Sequence, residues 1–251
     1  MLTKQSPQYQ IFSSELDQLN TTTFRYLVLS SPRTGSSMLC SALRSTNMAG
    51  IPFEYFHAEG IKTWLVRHPN GNFLDFIVDL EKRRTTKNGY FGVKVHFNQW
   101  NNLYTNNNHG LLTNYLRGQD KIILVTRRNK IRQAISCLVA QQSNIWQIEI
   151  DENRNYEVPE WQDSFSFIIT RLLYQLSSQE IAWKKLLHDN KIEFFELAYE
   201  DMIDGSDYLS DVLGYLNLNR EFAASHKATT KKVSSDYDDI YENYKASIGF
   251  N

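Results

Sequence analysis

Apolar and polar positions along this chain switch between two periods. Four short apolar runs, Phe24–Ser31, Tyr90–Phe97, Lys121–Thr126 and Ile192–Ala198, are rich in β-branched or aromatic residues and end in polar or glycine-containing turns. That pattern predicts buried strands. Between them the period lengthens. Phe73, Phe76, Ile77 and Leu80 recur at i, i+3, i+4 and i+7, giving one apolar helix face that Gly89 closes. Gly35–Ser45 and Ile131–Ile145 read as helices after the first and third strands. Ser164–His188 reads as one long helix or a pair, Asp207 as the cap of a helix through Leu216, and Tyr237–Tyr244 as a last helix in a polar tail. Strands alternating with helices predict an α/β fold with a central, mainly parallel sheet flanked by helices in three layers. Asn98–His109, rich in asparagine, reads as a surface loop, and Glu149–Glu160 as a polar lid or excursion. Strands lie on both sides of each, so one domain over residues 1–251 is expected.

Composition narrows the class. The chain has 251 residues, 41% of them hydrophobic and 13% aromatic, enough for a sizeable core. A net charge of −1 gives no reason to expect nucleic acid or an anionic membrane surface as partner. Met1–Asn20 is polar and lacks the apolar core of a signal peptide. No run of 18 uncharged apolar residues suits a membrane span, so a cytoplasmic protein is expected. Cys40 and Cys137 sit in apolar, helical stretches and read as buried packing thiols, not a disulfide. The six histidines show no metal-ligand spacing, and no metal is expected.

The most informative stretch is Tyr26-Leu27-Val28-Leu29-Ser30-Ser31-Pro32-Arg33-Thr34-Gly35-Ser36-Ser37. A strand ends, small residues turn, and a helix begins. Backbone N–H groups and a positive helix end converge there, which is a P-loop-like cradle for phosphate. The Walker pattern G-x-x-x-x-G-K-[ST] is broken, however: Ser30 stands for its first glycine and Ser36 for its lysine. Arg33 is the one cation inside the loop. A cradle without the kinase lysine suits a related anion, with sulfate first. Ligands of parallel sheets sit at the carboxyl ends of strands. The third strand ends in Thr126-Arg127-Arg128-Asn129-Lys130, and Ser136 follows eight positions after Arg128. A guanidinium and a hydroxyl so placed suit a second, terminal phosphate.

On these residues the chain resembles the sulfotransferases that use 3′-phosphoadenosine 5′-phosphosulfate (PAPS), and more closely the bacterial trehalose 2-sulfotransferase family. Besides the loop, the matching stretches are Ala49-Gly50-Ile51-Pro52-Phe53-Glu54-Tyr55-Phe56 and Phe91-Gly92-Val93-Lys94. Arg128, Gln133-Ala134-Ile135-Ser136, Ala140-Gln141-Gln142, Trp146 and Tyr199-Glu200-Asp201-Met202 complete the ordered set. The resemblance implies that Arg33, Thr34, Gly35, Ser36 and Ser37 hold the 5′-phosphosulfate and that Arg128 and Ser136 hold the 3′-phosphate. It implies Glu54 as general base, a role typically worth about 10²–10⁴ in rate. His96, in Lys94-Val95-His96, is the rival base, because eukaryotic cytosolic sulfotransferases carry a base histidine in a similar context and histidine as a residue type titrates near neutrality.

Lys94 lies two residues from His96, on the same strand face, within reach of a transferring sulfuryl group. Lys231 and Lys232 are candidates for the 3′-phosphate, and Glu200 is a candidate support for the fold. The implied acceptor is a hydroxyl of a small molecule, a sugar or glycolipid with trehalose as default, and the implied assembly is a homodimer. Two other readings stay open: a P-loop kinase-like phosphotransferase, and a nucleotide-binding module without turnover.

Overall fold

Among the described residues (20–106, 109–146, 158–204, 207–223 and 237–249 of the computed structural model), four parallel strands carry the fold. They are β1 (Phe24–Ser30), β2 (Tyr90–His96), β3 (Lys121–Thr126) and β4 (Phe195–Ala198), ordered β2-β1-β3-β4. The chain runs outward from β1 to β2, then returns across β1 to β3. The strand order therefore reverses beside β1, and the carboxyl end of β1 opens onto the crevice where such sheets bind ligands. Ser30 closes β1 opposite His96 of β2 and Val125 of β3.

Side chains alternate between the two faces of β1, as a pleated strand requires. Leu27 and Leu29 join Phe91, Val93, Val95 and Leu124 in one apolar layer. It is covered by α3 (Phe73–Arg84), α5 (His109–Arg117) and α7 (Ser164–Asp189). Tyr26 and Val28 join Ile123 and Val125 in the other, under α1 (Ser36–Ser45) and α9 (Tyr208–Tyr215). A third cluster packs α6 (Lys130–Ser143) between α7 and α10 (Asp238–Ser247). The expected α/β architecture is what the chain adopts. The predicted final helix is α10, and the Asp207 carboxylate accepts from Ser210 N at 3.3 Å to cap α9.

Two expectations change, one helix is added and one alternative is settled. Asn98–His109 is not a surface loop: Phe97–Asn106 forms α4, and α5 follows from His109. Asparagine costs a helix up to about 0.7 kcal/mol per residue. Phe97 and Trp100 pack their rings 5.2 and 5.7 Å from Trp183, and Leu103 is buried beside them. Each large apolar side chain buried contributes about 1.5–3 kcal/mol, so packing outweighs propensity. A further helix, α2 (Ala58–Arg67), buries Trp64, whose indole donates to Asp79 at 2.9 Å. Of the two forms expected for Ser164–His188, the single long helix is the one found, as α7. The fourth strand begins at Phe195, three residues later than predicted. α8 (Tyr199–Ile203) and a 3₁₀ turn (Arg220–Ala223) complete the described elements. Lys231, Lys232, most of Met1–Asn20 and most of Glu149–Glu160 lie outside the described residues. No described helix is long and apolar enough to cross a membrane.

Candidate active site

The loop after β1 turns on two left-handed residues, Arg33 with φ 66° and Gly35 with φ 80°. A Cβ on Gly35 would stand 2.6 Å from the Tyr199 ring and 2.8 Å from Met202 Cε, so both backbone conformation and space require glycine. Ser36 then opens α1 directly after this turn, with no side-chain cap from Gly35, so the positive end of the helix lies at the carboxyl end of β1. Thr34 turns its hydroxyl inward to the Ser31 carbonyl at 3.2 Å and is wholly buried. Arg33 reaches across the crevice: its Nε donates to Ser136 Oγ on α6 at 3.0 Å, and Nη1 donates to the Trp146 carbonyl. The residues proposed for the two ends of the donor are thus joined by a direct hydrogen bond.

Glu54 reaches the site from a segment laid along the outer edge of β2. Gly50 packs so closely there, with φ 71°, that a Cβ would come within 2.9 Å of backbone atoms of Tyr90 and Gly92. The Phe53 carbonyl accepts from Lys94 N at 3.0 Å, continuing the sheet hydrogen bonding for one step. This brings the half-buried Glu54 side chain over the end of β2. Its Oε1 lies 2.5 Å from Lys94 Nζ and 3.3 Å from His96 Nε2, and its Oε2 accepts from Gln99 Nε2 at 2.9 Å.

Lys94, only 3% exposed, also donates to Ser37 Oγ at 2.8 Å. His96 Nδ1 meets Ser30 Oγ at 2.9 Å. As the Nε2–H tautomer or as imidazolium, the ring presents an Nε2 hydrogen to Glu54. Burial works to push the Glu54 carboxyl up, but the charges and hydrogen bonds of Lys94 and His96 prevail and hold it well below the usual carboxylate range. Glu54 and His96, read from the sequence as alternatives, are neighbours in one network.

Gln99 was missed. It sits in the first turn of α4, buried, accepting from His96 N at 3.0 Å while donating to Glu54. Reading that stretch as loop hid it; the apolar spacing Phe97, Trp100, Leu103 is the signal that would have placed it on a helix.

Arg128 stands apart. Its guanidinium is turned to solvent and paired with Asp201, Nη1 to Oδ2 at 3.0 Å and Nη2 to Oδ1 at 2.5 Å. Glu200 accepts from Arg128 N at 2.9 Å and Asn129 N at 3.0 Å, fixing the turn that leads into α6. Asn129 caps that helix, its side chain accepting from Arg132 N at 2.9 Å. Burial works against the ionised Glu200, yet these backbone donors lower its pKa, as suits a structural anchor. Lys232 lies outside the described residues. Among the described residues no group of three or more histidine, cysteine, aspartate or glutamate side chains is placed to hold a metal ion.

The family model described as Stf0 sulphotransferase matches residues 25–247 of this chain. Two curated relatives are similar over 208 residues, 69% of this chain and 76% of each relative: the trehalose 2-sulfotransferases of Mycolicibacterium smegmatis, at 24% identity, and of Mycobacterium tuberculosis, at 25%. Among solved structures, the sulfotransferase domain of the Synechococcus PCC 7002 olefin synthase aligns with TM-score 0.41 and 14% identity, over 93% of this chain and 90% of that one. The sulfotransferase domain of the curacin biosynthetic pathway aligns with TM-score 0.42 and 14% identity, over 92% and 99%.

Proposed function

We propose that this chain, which belongs to the Stf0 sulphotransferase family, moves a sulfuryl group from PAPS to a hydroxyl of a small sugar. The observation that carries the reading is the continuity of one hydrogen-bonded path. Ser37 of the loop, Lys94 and Glu54 are linked end to end, so the cradle for the transferring group and the candidate base share a single cation. Transfer breaks the bond between sulfur and the bridging oxygen of the donor and forms one between sulfur and the acceptor oxygen. The acceptor proton goes to Glu54. Like phosphoryl transfer, such a displacement calls mainly for alignment and for stabilisation of charge on the transferring oxygens.

The ion pair gives the timing. A carboxylate held as acidic as Glu54 is a poor proton acceptor. An anion beside Ser37 offers Lys94 a second negative partner, and whatever charge Lys94 shifts toward it is withdrawn from Glu54. The proton affinity of Glu54 then rises as the loop fills. His96, oriented by Ser30, and Gln99 keep the carboxylate aimed while Lys94 changes partner. Arg33 and Ser136 supply a guanidinium and a hydroxyl for the donor, and Arg128 joins them by leaving Asp201. The two relatives named as trehalose sulfotransferases support a sugar acceptor. The homodimer rests on the family resemblance alone, and the cytoplasmic location on the sequence patterning alone.

Two measurements test the reading. 3′-Phosphoadenosine 5′-phosphate raises the melting temperature and ATP with Mg²⁺ does not; stronger stabilisation by ATP–Mg²⁺ refutes the donor assignment. Glu54→Gln abolishes sulfuryl transfer to trehalose or a related sugar while keeping nucleotide affinity. Near-normal turnover in that variant passes the role to His96.

A further inference from the structure

A second arginine stands behind the loop, and its surroundings are unusual for a buried charge. Val125 and Arg127 share a strand parity, so Arg127 enters the protein on the α1 side while Arg128 leaves it. Arg127 is 6% exposed, with its guanidinium carbon 4.4 Å from the centre of the Tyr199 ring. Its Nε has no hydrogen-bond partner among the described residues, and its Nη1 donates to the Arg33 carbonyl at 3.2 Å. No carboxylate among the described residues forms an ion pair with it, and Glu200 acts on it only through space.

That bond is the last of four. The successive carbonyls of Ser30, Ser31, Pro32 and Arg33 accept from Trp183 Nε1 at 3.0 Å, Thr34 Oγ1 at 3.2 Å, Gln133 Nε2 at 2.7 Å and Arg127 Nη1 at 3.2 Å. In a planar trans peptide the N–H of the next residue points opposite the carbonyl. Holding the Pro32 and Arg33 carbonyls inward therefore turns the N–H groups of Arg33 and Thr34 outward, toward an anion. The loop is held in this shape by donors from the turn after β3, from α6, from α7 and from Thr34 of the loop itself.

We propose that Arg127 is a positioning residue of the anion cradle, fixing the Arg33 carbonyl and stationing behind the loop the positive charge that a Walker lysine supplies in front. Glu200 acts on this charge without pairing with it, its oxygens being taken by Arg128 N and Asn129 N, so the buried cation is incompletely compensated, which is costly to the free protein. An anion seated in the loop offsets that cost, so the charge favours the loaded state. The inference rests on reading the loop as the donor's anion site.

The test titrates 3′-phosphoadenosine 5′-phosphate calorimetrically into wild type and into Arg127→Met, Arg127→Gln and Arg127→Lys, and compares KM values for donor and acceptor. Arg127→Met is expected to weaken binding and raise the donor KM by about 10- to 100-fold, the range of one hydrogen bond to a charged group. The acceptor KM stays within about twofold, and Arg127→Lys recovers most of the loss. Arg127→Gln, which keeps a donor without the charge, falls between. Affinity of Arg127→Met within about twofold of wild type overturns the proposal. If that variant does not fold, Arg127→Gln decides: undiminished affinity overturns the proposal, and weakened affinity supports it. A wild type that ignores the nucleotide refutes the donor reading instead. Inorganic pyrophosphate titrated into the same variants then tests Arg127 by itself, and a wild type that binds neither anion overturns both.

Discussion

Lys94→Met isolates the ion pair at the centre of the site. The methionine fills a similar volume but leaves the Glu54 carboxylate without the cation 2.5 Å away and Ser37 without its donor. At that separation, with an effective dielectric constant of about 20, the attraction amounts to about 7 kcal/mol. Desolvation of two ions offsets several kcal/mol of it, and breaking a buried pair typically costs about 3–5 kcal/mol. Glu54 keeps donors from Gln99 and His96, and its side chain retains 23% exposure, so the lower end applies. The expected loss is about 3 kcal/mol at pH 7. In a chain of this size that lowers the melting temperature by about 6–12 °C.

The pH dependence has a definite sign. Glu54 is more acidic folded than unfolded, so its contribution is fully present above the unfolded carboxylate pKa, near 4.3. It is lost as pH falls through the lower, folded value. Urea unfolding of both proteins, from pH 7 to the lowest pH at which both fold, reads the gap directly. The gap should narrow below about pH 4. A cost under about 1 kcal/mol at pH 7, the scale of an exposed pair, would refute the argument. So would a gap that does not change with pH.

Other outcomes follow from single contacts. Gly35→Ala forces a side chain into a left-handed turn against Tyr199 and Met202. It should cost about 1–3 kcal/mol in urea unfolding and weaken nucleotide binding, whereas a neutral effect on both would mean that the turn is looser than described. Arg128→Ala leaves the melting temperature where it is, because its partner Asp201 is solvent-exposed. Under the donor reading it also weakens 3′-phosphoadenosine 5′-phosphate binding, and unchanged affinity in calorimetry would remove Arg128 from the donor site. Burial pushes the Cys40 and Cys137 thiols up to about 11. Neither should react quickly with a disulfide reagent at pH 8 in the native protein, and both should do so in urea; fast labelling of the folded chain contradicts their burial.

The strands were legible because three of the four predicted segments are nearly continuous apolar runs bounded by turns, the signature of a sheet covered on both faces. The loop was legible because its small residues have few other uses at a strand-to-helix junction. α4 was not, because four asparagines in ten residues argue locally for a turn, and the packing on Trp183 that overrides them comes from a helix some eighty residues away. Gln99 vanished with it. The choice between the adjacent arginines was partly open to inspection: strand parity assigns Arg127 inward, with Ile123 and Val125, while family spacing drew attention to Arg128. The contact between Glu54 and His96 had no sequence signal at all, since only the folded edge of β2 brings residues 54 and 96 together.

The inward-held carbonyls of the loop tie ligand binding to cooperativity. Three of their four donors come from the turn after β3, from α6 and from α7, so the receptive loop is complete only when all three stand in place around β1. An intermediate that has shed α7 or opened β3 loses the cradle. A bound donor analogue thus stabilises the fully assembled chain and none of its partly open forms. Amide exchange should report this as slower exchange throughout the core, not just at the loop, because the ligand raises the free energy of every opening that dismantles its site.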